Sequence, residues 1–330
     1  MAHLHKKYSY RQFAVILPLT LAFFLSGCFT GIESTKKIEI TDQDRRLLEP
    51  SPEEMLLSEV SGTPLPKWKK GKAFIVTDTR AGMVLSSDAA GDSLQSGDLL
   101  LFESVAPVSM PDGREYALLQ WTTPAGQRYS YNTGKEFQEA AGGITSDRIP
   151  LIVDADMVSQ ADSILAGRFL WNKSTMAYRP DGERISILKF TKLKIDSVTA
   201  GQSYFPLKVW TSLPVEAVLS RMNMGAATDT IPLYFFLDFN SSLAESRPLP
   251  RLFSLSDPRL SYPAVSEPVW EAIRHGKVVR GMTKEECRLS LGNPSDANSG
   301  HDYNSTIDIW QYPDGTFLRF IDGLLDSFRK

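Results

Sequence analysis

The sequence predicts a mainly β protein that ends in a small α+β module. Three observations lead there. From about 67 to 255, short apolar and aromatic runs alternate with turns rich in Pro and Gly. After 266, two segments with helical spacing precede three strand-like runs. The composition is 42% hydrophobic and 23% charged over 330 residues, a folded chain with room for more than one core.

The chain opens with a basic stretch carrying Lys6, Lys7 and Arg11. Phe13 to Leu25 is almost wholly apolar. A spanning helix needs about 20 apolar residues, so this shorter run reads as the apolar region of a signal peptide over 1–27. It ends in Leu25-Ser26-Gly27-Cys28. In that context the tetrapeptide resembles the bacterial lipobox. The resemblance implies cleavage before Cys28 and attachment of diacylglyceryl and palmitate to it. One acyl chain binds marginally, at about 0.8 kcal/mol per buried CH₂, whereas two or three anchor firmly. Phe29 stands where an Asp would retain such a lipoprotein at the inner membrane, which implies the outer membrane and a periplasm-facing body.

Residues 28–66 read as a tether, polar and closed by Pro50-Ser-Pro52 and Pro64-Leu-Pro66. A short helix is expected near Glu53 to Val60, because Pro52 suits a first turn.

A β domain follows over 67–150. Its expected strands are Ala73–Thr77, Asp98–Glu103, Tyr116–Trp121 and Gln127–Tyr131, separated by Gly91, Ser96-Gly97, Pro111-Asp-Gly113 and Pro124-Ala-Gly126. A second β domain is expected over 151–255. Its strands are Arg168–Trp171, Arg184–Phe190, Leu193–Val198 and Phe205–Trp210, with turns at Pro180-Asp-Gly182 and Ala200-Gly201 and a closing strand from Ile231 to Phe239. A linking helix is expected within 150–166, and a linker over 241–263. Both sets hold a Pro-Asp-Gly turn and a later Gly turn before an aromatic strand. They read as one or two small SH3-like β-barrels, possible copies of one unit.

The last region, 256–330, contains Ser266 to Gly276, with Val269, Trp270 and Ile273 on one helical face. Thr283 and Glu286 fit a capping box for a second helix ending at Gly292-Asn-Pro294. Thr306–Tyr312, Thr316–Ile321 and Leu324–Phe328 read as strands, joined by Pro313-Asp-Gly315 and Asp322-Gly323. Gly281-Met-Thr-Lys-Glu-Glu286, Leu291-Gly-Asn-Pro294, Trp310-Gln-Tyr312, Phe317-Leu-Arg-Phe320 and Asp322-Gly323-Leu324 together resemble the SmpA/OmlA (BamE-like) outer-membrane lipoprotein domain. The resemblance covers roughly 266–330. It implies two helices on a three-stranded antiparallel sheet, an envelope location and a habit of binding proteins.

Chemistry-bearing residues are sparse. Beyond the leader, the histidines are His275 and His301. Cys287 has no disulfide partner if Cys28 is lipidated, and reads as a buried structural thiol beside Leu289 and Leu291. His275 reads as a helix-end cation. Gly97-Asp98 reads as a turn before a buried strand, and Asp154 and Asp156 as alternation near a turn. Lys67-Trp-Lys-Lys-Gly-Lys72 reads as a solvated edge, with lipid head groups or an anionic cell-wall polymer as the alternative contact. No nucleophile elbow, zinc-protease helix or P-loop is present. The net charge is −3, and loss of the basic leader makes the rest more acidic, which disfavours nucleic acid as a partner. The expectation is a lipid-anchored, non-catalytic protein-interaction module of the envelope, without cofactor or metal. The alternative is a cell-wall (peptidoglycan) binding lipoprotein.

Overall fold

The computed structural model describes residues 50–87, 93–202, 205–219, 230–239, 247–302 and 305–330. The expected signal peptide, Cys28 and the tether up to residue 49 lie outside the described residues, as does the expected turn at Gly91. The described chain has a mixed α+β architecture of antiparallel sheets, one curled into a half-barrel.

Helix α1 (Pro52–Leu56) begins with a Ser51–Glu54 capping box and Pro52 in its first turn. The first sheet comprises β1 (Ala73–Val76), β2 (Ser86–Ser87), β3 (Leu99–Ser109), β4 (Glu115–Thr122), β5 (Arg128–Glu136) and β6 (Ile152–Asp154), ordered β2-β5-β4-β3-β1-β6. Short helices α2 (Ala81–Val84) and α3 (Ala140–Gly143) pack at its margins. Alternation along β4 sends Ala117, Leu119 and Trp121 into the core. There Trp68 meets Phe102 edge-on at 5.0 Å, and Phe74 meets Trp121 at 5.8 Å.

Two expectations change here. Residues 50–66 are packed rather than tether-like. Leu65 joins the first core, and Val60 is buried. The expected boundary at 150 falls just ahead of β6, yet β6 pairs with β1 in the first sheet.

Helix α4 (Ala155–Leu165) follows, burying Met157, Val158, Ala161 and Leu165. The second sheet holds β7 (Phe169–Asn172), β8 (Met176–Tyr178), β9 (Arg184–Ser186), β10 (Lys192–Gln202), β11 (Phe205–Pro214), β12 (Thr230–Leu237) and β13 (Phe253–Ser254). Its order is β13-β7-β10-β11-β12-β8-β9, so it does not repeat the first sheet. Strand β10 serves two neighbours in turn, β7 and then β11, with a bulge between Ile195 and Ser197. Ala200 and Gly201 lie inside β10 rather than in a turn, and glycine is required at 201 because a Cβ there would meet the Phe205 carbonyl at 2.0 Å. The expected strand Arg184–Phe190 stops at Ser186, and Phe190 takes φ 55°. The described part of the expected 241–263 linker contains α5 (Leu249–Leu252), β13 and α6 (Pro258–Ser261).

The C-terminal module contains α7 (Glu267–Arg274) and α8 (Lys284–Leu291) followed by β14 (Asp296–Asp302), β15 (Ser305–Gln311), β16 (Phe317–Ile321) and β17 (Leu324–Arg329). The sheet is a four-stranded antiparallel meander, not the expected three-stranded one. The added strand β14 reads Asp-Ala-Asn-Ser-Gly-His-Asp, with no apolar alternation to announce it. It forms because it can ladder along β15, from Asp296–Gln311 to Asp302–Ser305. Trp270, Ile273, Met282, Cys287, Trp310, Leu318 and Phe320 build the core, and Phe190 packs against it from the β9–β10 connection.

Candidate functional site

The C-terminal module carries a cleft of about 690 Å³ over the first turns of α8. Tyr262, Thr283, Lys284, Glu285, Arg288, Leu289 and Gly323 line it. Its position follows from local sequence. The Thr283 hydroxyl accepts from Glu286 N at 3.2 Å, and Glu286 Oε2 accepts from Thr283 N at 2.7 Å, which starts the helix here. Thr283 also bridges to Leu324, while Leu325 N donates to the Met282 carbonyl at 2.8 Å. These contacts stitch the helix start to β17 and set Gly323 beside it. Gly323 has φ 87°, which the tight β16–β17 turn requires.

The charges around the cleft are mostly engaged. Lys284 Nζ lies 2.6 Å from Asp308 Oδ2, and this ammonium holds the Asp308 carboxyl below the usual range. The Arg288 guanidinium lies over Trp310, with Cζ 4.5 Å from the ring centre. Burial, helped by Glu285, pushes the Tyr262 phenol up. An apolar group beside it is open: Leu324, next to Gly323, is 51% exposed. A cleft that sets Tyr262 and Leu289 among charged side chains, with an exposed leucine beside it, suits an amphipathic polypeptide segment.

A second depression of about 400 Å³ lies between β4, β5 and α3, lined by Arg114, Tyr116, Lys135, Glu136 and Glu139 among others. Arg114 pairs with Glu136 at 2.9 Å, and Tyr116 donates to Asp112 at 2.7 Å. Its lining includes Tyr116 but no aliphatic residue larger than glycine.

The residues singled out in the sequence scatter. Cys28 lies outside the described residues. Cys287 is buried in the C-terminal core, where burial pushes its thiol up to about 12, so it holds its proton at neutral pH. His275 ends α7 and meets Glu271 at 2.8 Å. Gly97 and Asp98 form the turn before β3, with Asp98 accepting from Gln95 N at 2.7 Å.

The basic run 67–72 is not a uniform solvated edge. Trp68 is in the first core and donates to the Thr63 carbonyl at 2.7 Å. Lys72 turns inward to Asp154 at 2.9 Å and also pairs with Asp156. Asp154 is fully buried, caps α4 through Asp156 N and accepts from the Ser146 hydroxyl. The two carboxylates therefore share a cation and serve the fold.

Two features escaped sequence reasoning. One is Lys189, whose buried ammonium reaches the C-terminal end of α8; it looked like one residue of an apolar strand. The other is an outward row of Phe169 and Trp171 on β7 facing Lys194 and Lys192 on β10. Its signal was the alternation of exposed and buried positions in both strands. Among the described residues, no three of His, Cys, Asp or Glu come together to hold a metal ion, and no helix is long and apolar enough to cross a membrane. Comparison with known proteins returns no match: no protein-family model fits the chain, and no curated protein or solved structure is similar to it.

Proposed function

We propose that this chain is a lipoprotein, anchored to the outer membrane through lipid on Cys28 and facing the periplasm, whose body binds another envelope protein without catalysing a reaction. The carrying observation is the α8 cleft, where Tyr262, Leu289 and the neighbouring exposed Leu324 stand among charged groups and Lys284 is already paired with Asp308. The two helices followed by an antiparallel meander support kinship with BamE-like domains, and β14 is an addition to that plan. The protonated, buried Cys287 and the paired His275 support a binding role over nucleophilic catalysis.

The test joins two readouts on the full chain. Palmitate labelling reports the anchor, and a Cys28→Ala variant should lose it. A photo-crosslinking residue at Leu324 should trap an envelope protein, while one at Met83, 86% exposed on α2, should not. Equal capture at both positions, or none at Leu324, would count against the cleft.

A second reading rests on the second sheet. Trp210 and Tyr178 are half-buried members of an aromatic row across β11, β12 and β8 whose other rings, Tyr234 and Phe236, are buried beneath Lys208. The accessible parts of Trp210 and Tyr178 favour stacking on cell-wall glycan, the role expected of SH3-like domains. Sedimentation with purified peptidoglycan separates the two readings, since the first expects no retention.

A further inference from the structure

We infer that the outer face of β7 and β10 is a contact surface for an anionic lipid bilayer, holding the anchored body against its own membrane. The inference rests on the lipid anchor proposed above and adds an orientation to it.

The surface is defined by register. Phe169 pairs with Lys194 and Trp171 with Lys192, so all four side chains share one face of the sheet. The intervening Leu170 and Leu193 point into the core. Phe169 is 54% exposed. Lys192 Nζ lies 4.9 Å from the Phe169 ring centre and 5.3 Å from that of Trp171. Among the described residues, neither lysine forms an ion pair. The nearest acid along β10 is Asp196, which accepts from the Ser212 hydroxyl at 3.0 Å. Aromatic rings beside unpaired ammonium groups match the two layers of a bilayer interface: rings settle at headgroup depth, and lysines meet anionic phosphates.

The way the chain enters the body argues for the membrane over other anionic partners. The described chain starts at Pro50, and α1 follows at once. Glu53 on α1 accepts from Leu255 N at 2.9 Å and from the Ser254 hydroxyl at 3.3 Å. Ser254 is the cross-strand neighbour of Trp171. Helix α1 thus packs at the same sheet edge that presents Phe169 and Trp171. A lipid on Cys28 would hold the whole body near the bilayer, where a weak surface contact becomes persistent.

The test uses the full chain on vesicles of phosphatidylethanolamine and phosphatidylglycerol containing lipids with brominated acyl chains, read by tryptophan fluorescence. Quenching of part of the emission is expected. Trp171→Phe should remove the quenched part, and Lys192→Gln with Lys194→Gln should weaken it, each charge being worth about five-fold in surface partitioning. Vesicles of phosphatidylcholine alone should give little quenching. No quenching, or quenching unchanged in Trp171→Phe, would overturn the surface. Palmitate labelling is scored separately. A labelled chain without quenching sinks the surface and leaves the anchor standing. An unlabelled chain sinks the anchor, while quenching of chain added to vesicles still decides the surface.

Discussion

Lys189 Nζ donates to the carbonyl of Ser290 at 2.6 Å and to that of Leu289 at 2.8 Å. The lysine belongs to the second sheet's β9–β10 connection, and the carbonyls end α8. The ammonium therefore sits at the negative end of a helix dipole and satisfies acceptors that the helix leaves unpaired. Beside it, Phe190 meets Trp270 edge-on at 5.8 Å, and Lys189 N donates to the Arg274 carbonyl at 2.9 Å. These two residues fasten the C-terminal module to the sheet.

Replacing this lysine should loosen that attachment. Lys189→Met keeps the stem but strands the carbonyls, and should cost about 1.5–3 kcal/mol. Urea denaturation of the variant against the parent measures the loss. A change within error would mean that water replaces the ammonium without penalty.

Lys189 should also give stability a pH slope. Burial lowers its pKa from 10.5 to about 8. Below about 8 it is charged in both states, and its burial cost is present in full. Between about 8 and 10.5 the unfolded chain keeps a proton that the folded chain has released. Its contribution to stability therefore rises with pH across this window. The difference in stability between the parent and Lys189→Met, followed from pH 7 upward, should shift in the parent's favour.

Lys72 should slope the other way. Burial alone would lower its pKa, but hydrogen bonds to Asp154 and Asp156 outweigh burial and raise it. Its contribution is fully present below pH 10.5 and is lost as pH rises through the folded value. Lys72→Met leaves Asp154 buried without its cation and should cost about 3–5 kcal/mol. Adding Asp154→Asn should recover part of that loss, because the orphaned charge goes with it. If the single and double variants are equally unstable, the charge is not the cause.

Cys287 should be silent in the folded protein. Its thiol is buried and held up at about 12, so a thiol reagent should react only as the chain unfolds. In denaturant, the mature chain should titrate as one thiol if Cys28 is in a thioether. Two thiols would remove the anchor.

The capping box at Thr283 should matter locally. Thr283→Ala should cost about 1 kcal/mol and fray the start of α8, which also lines the cleft. Amide exchange at Glu285 and Glu286 reports it directly.

Several elements were legible because neighbouring residues suffice to form them. Pro52, the Thr283–Glu286 box, the Pro-Asp-Gly turns and the alternation of β4 all act within a few residues. The cleft was legible only in part. Thr283 and Glu286 announced the helix start, but nothing in the sequence set Tyr262 and Gly323 beside it. Strand β14 was hidden because its ladder with β15 supplies what its side chains lack. Trp68 and Lys72 looked like one basic edge, yet the first fills a core and the second neutralises a buried carboxylate.

By itself, then, the sequence determined where helices start, where chains turn and which strand positions are apolar, since backbone and near-neighbour chemistry decide these. Only the tertiary structure decided the strand order of each sheet, the inward turn of Lys72, the reach of Lys189 to Ser290 and the meeting of Phe169 with Lys192. Each of those depends on contacts between segments far apart in the chain, whose pairing is selected by the burial of the whole core and leaves no short-range signature.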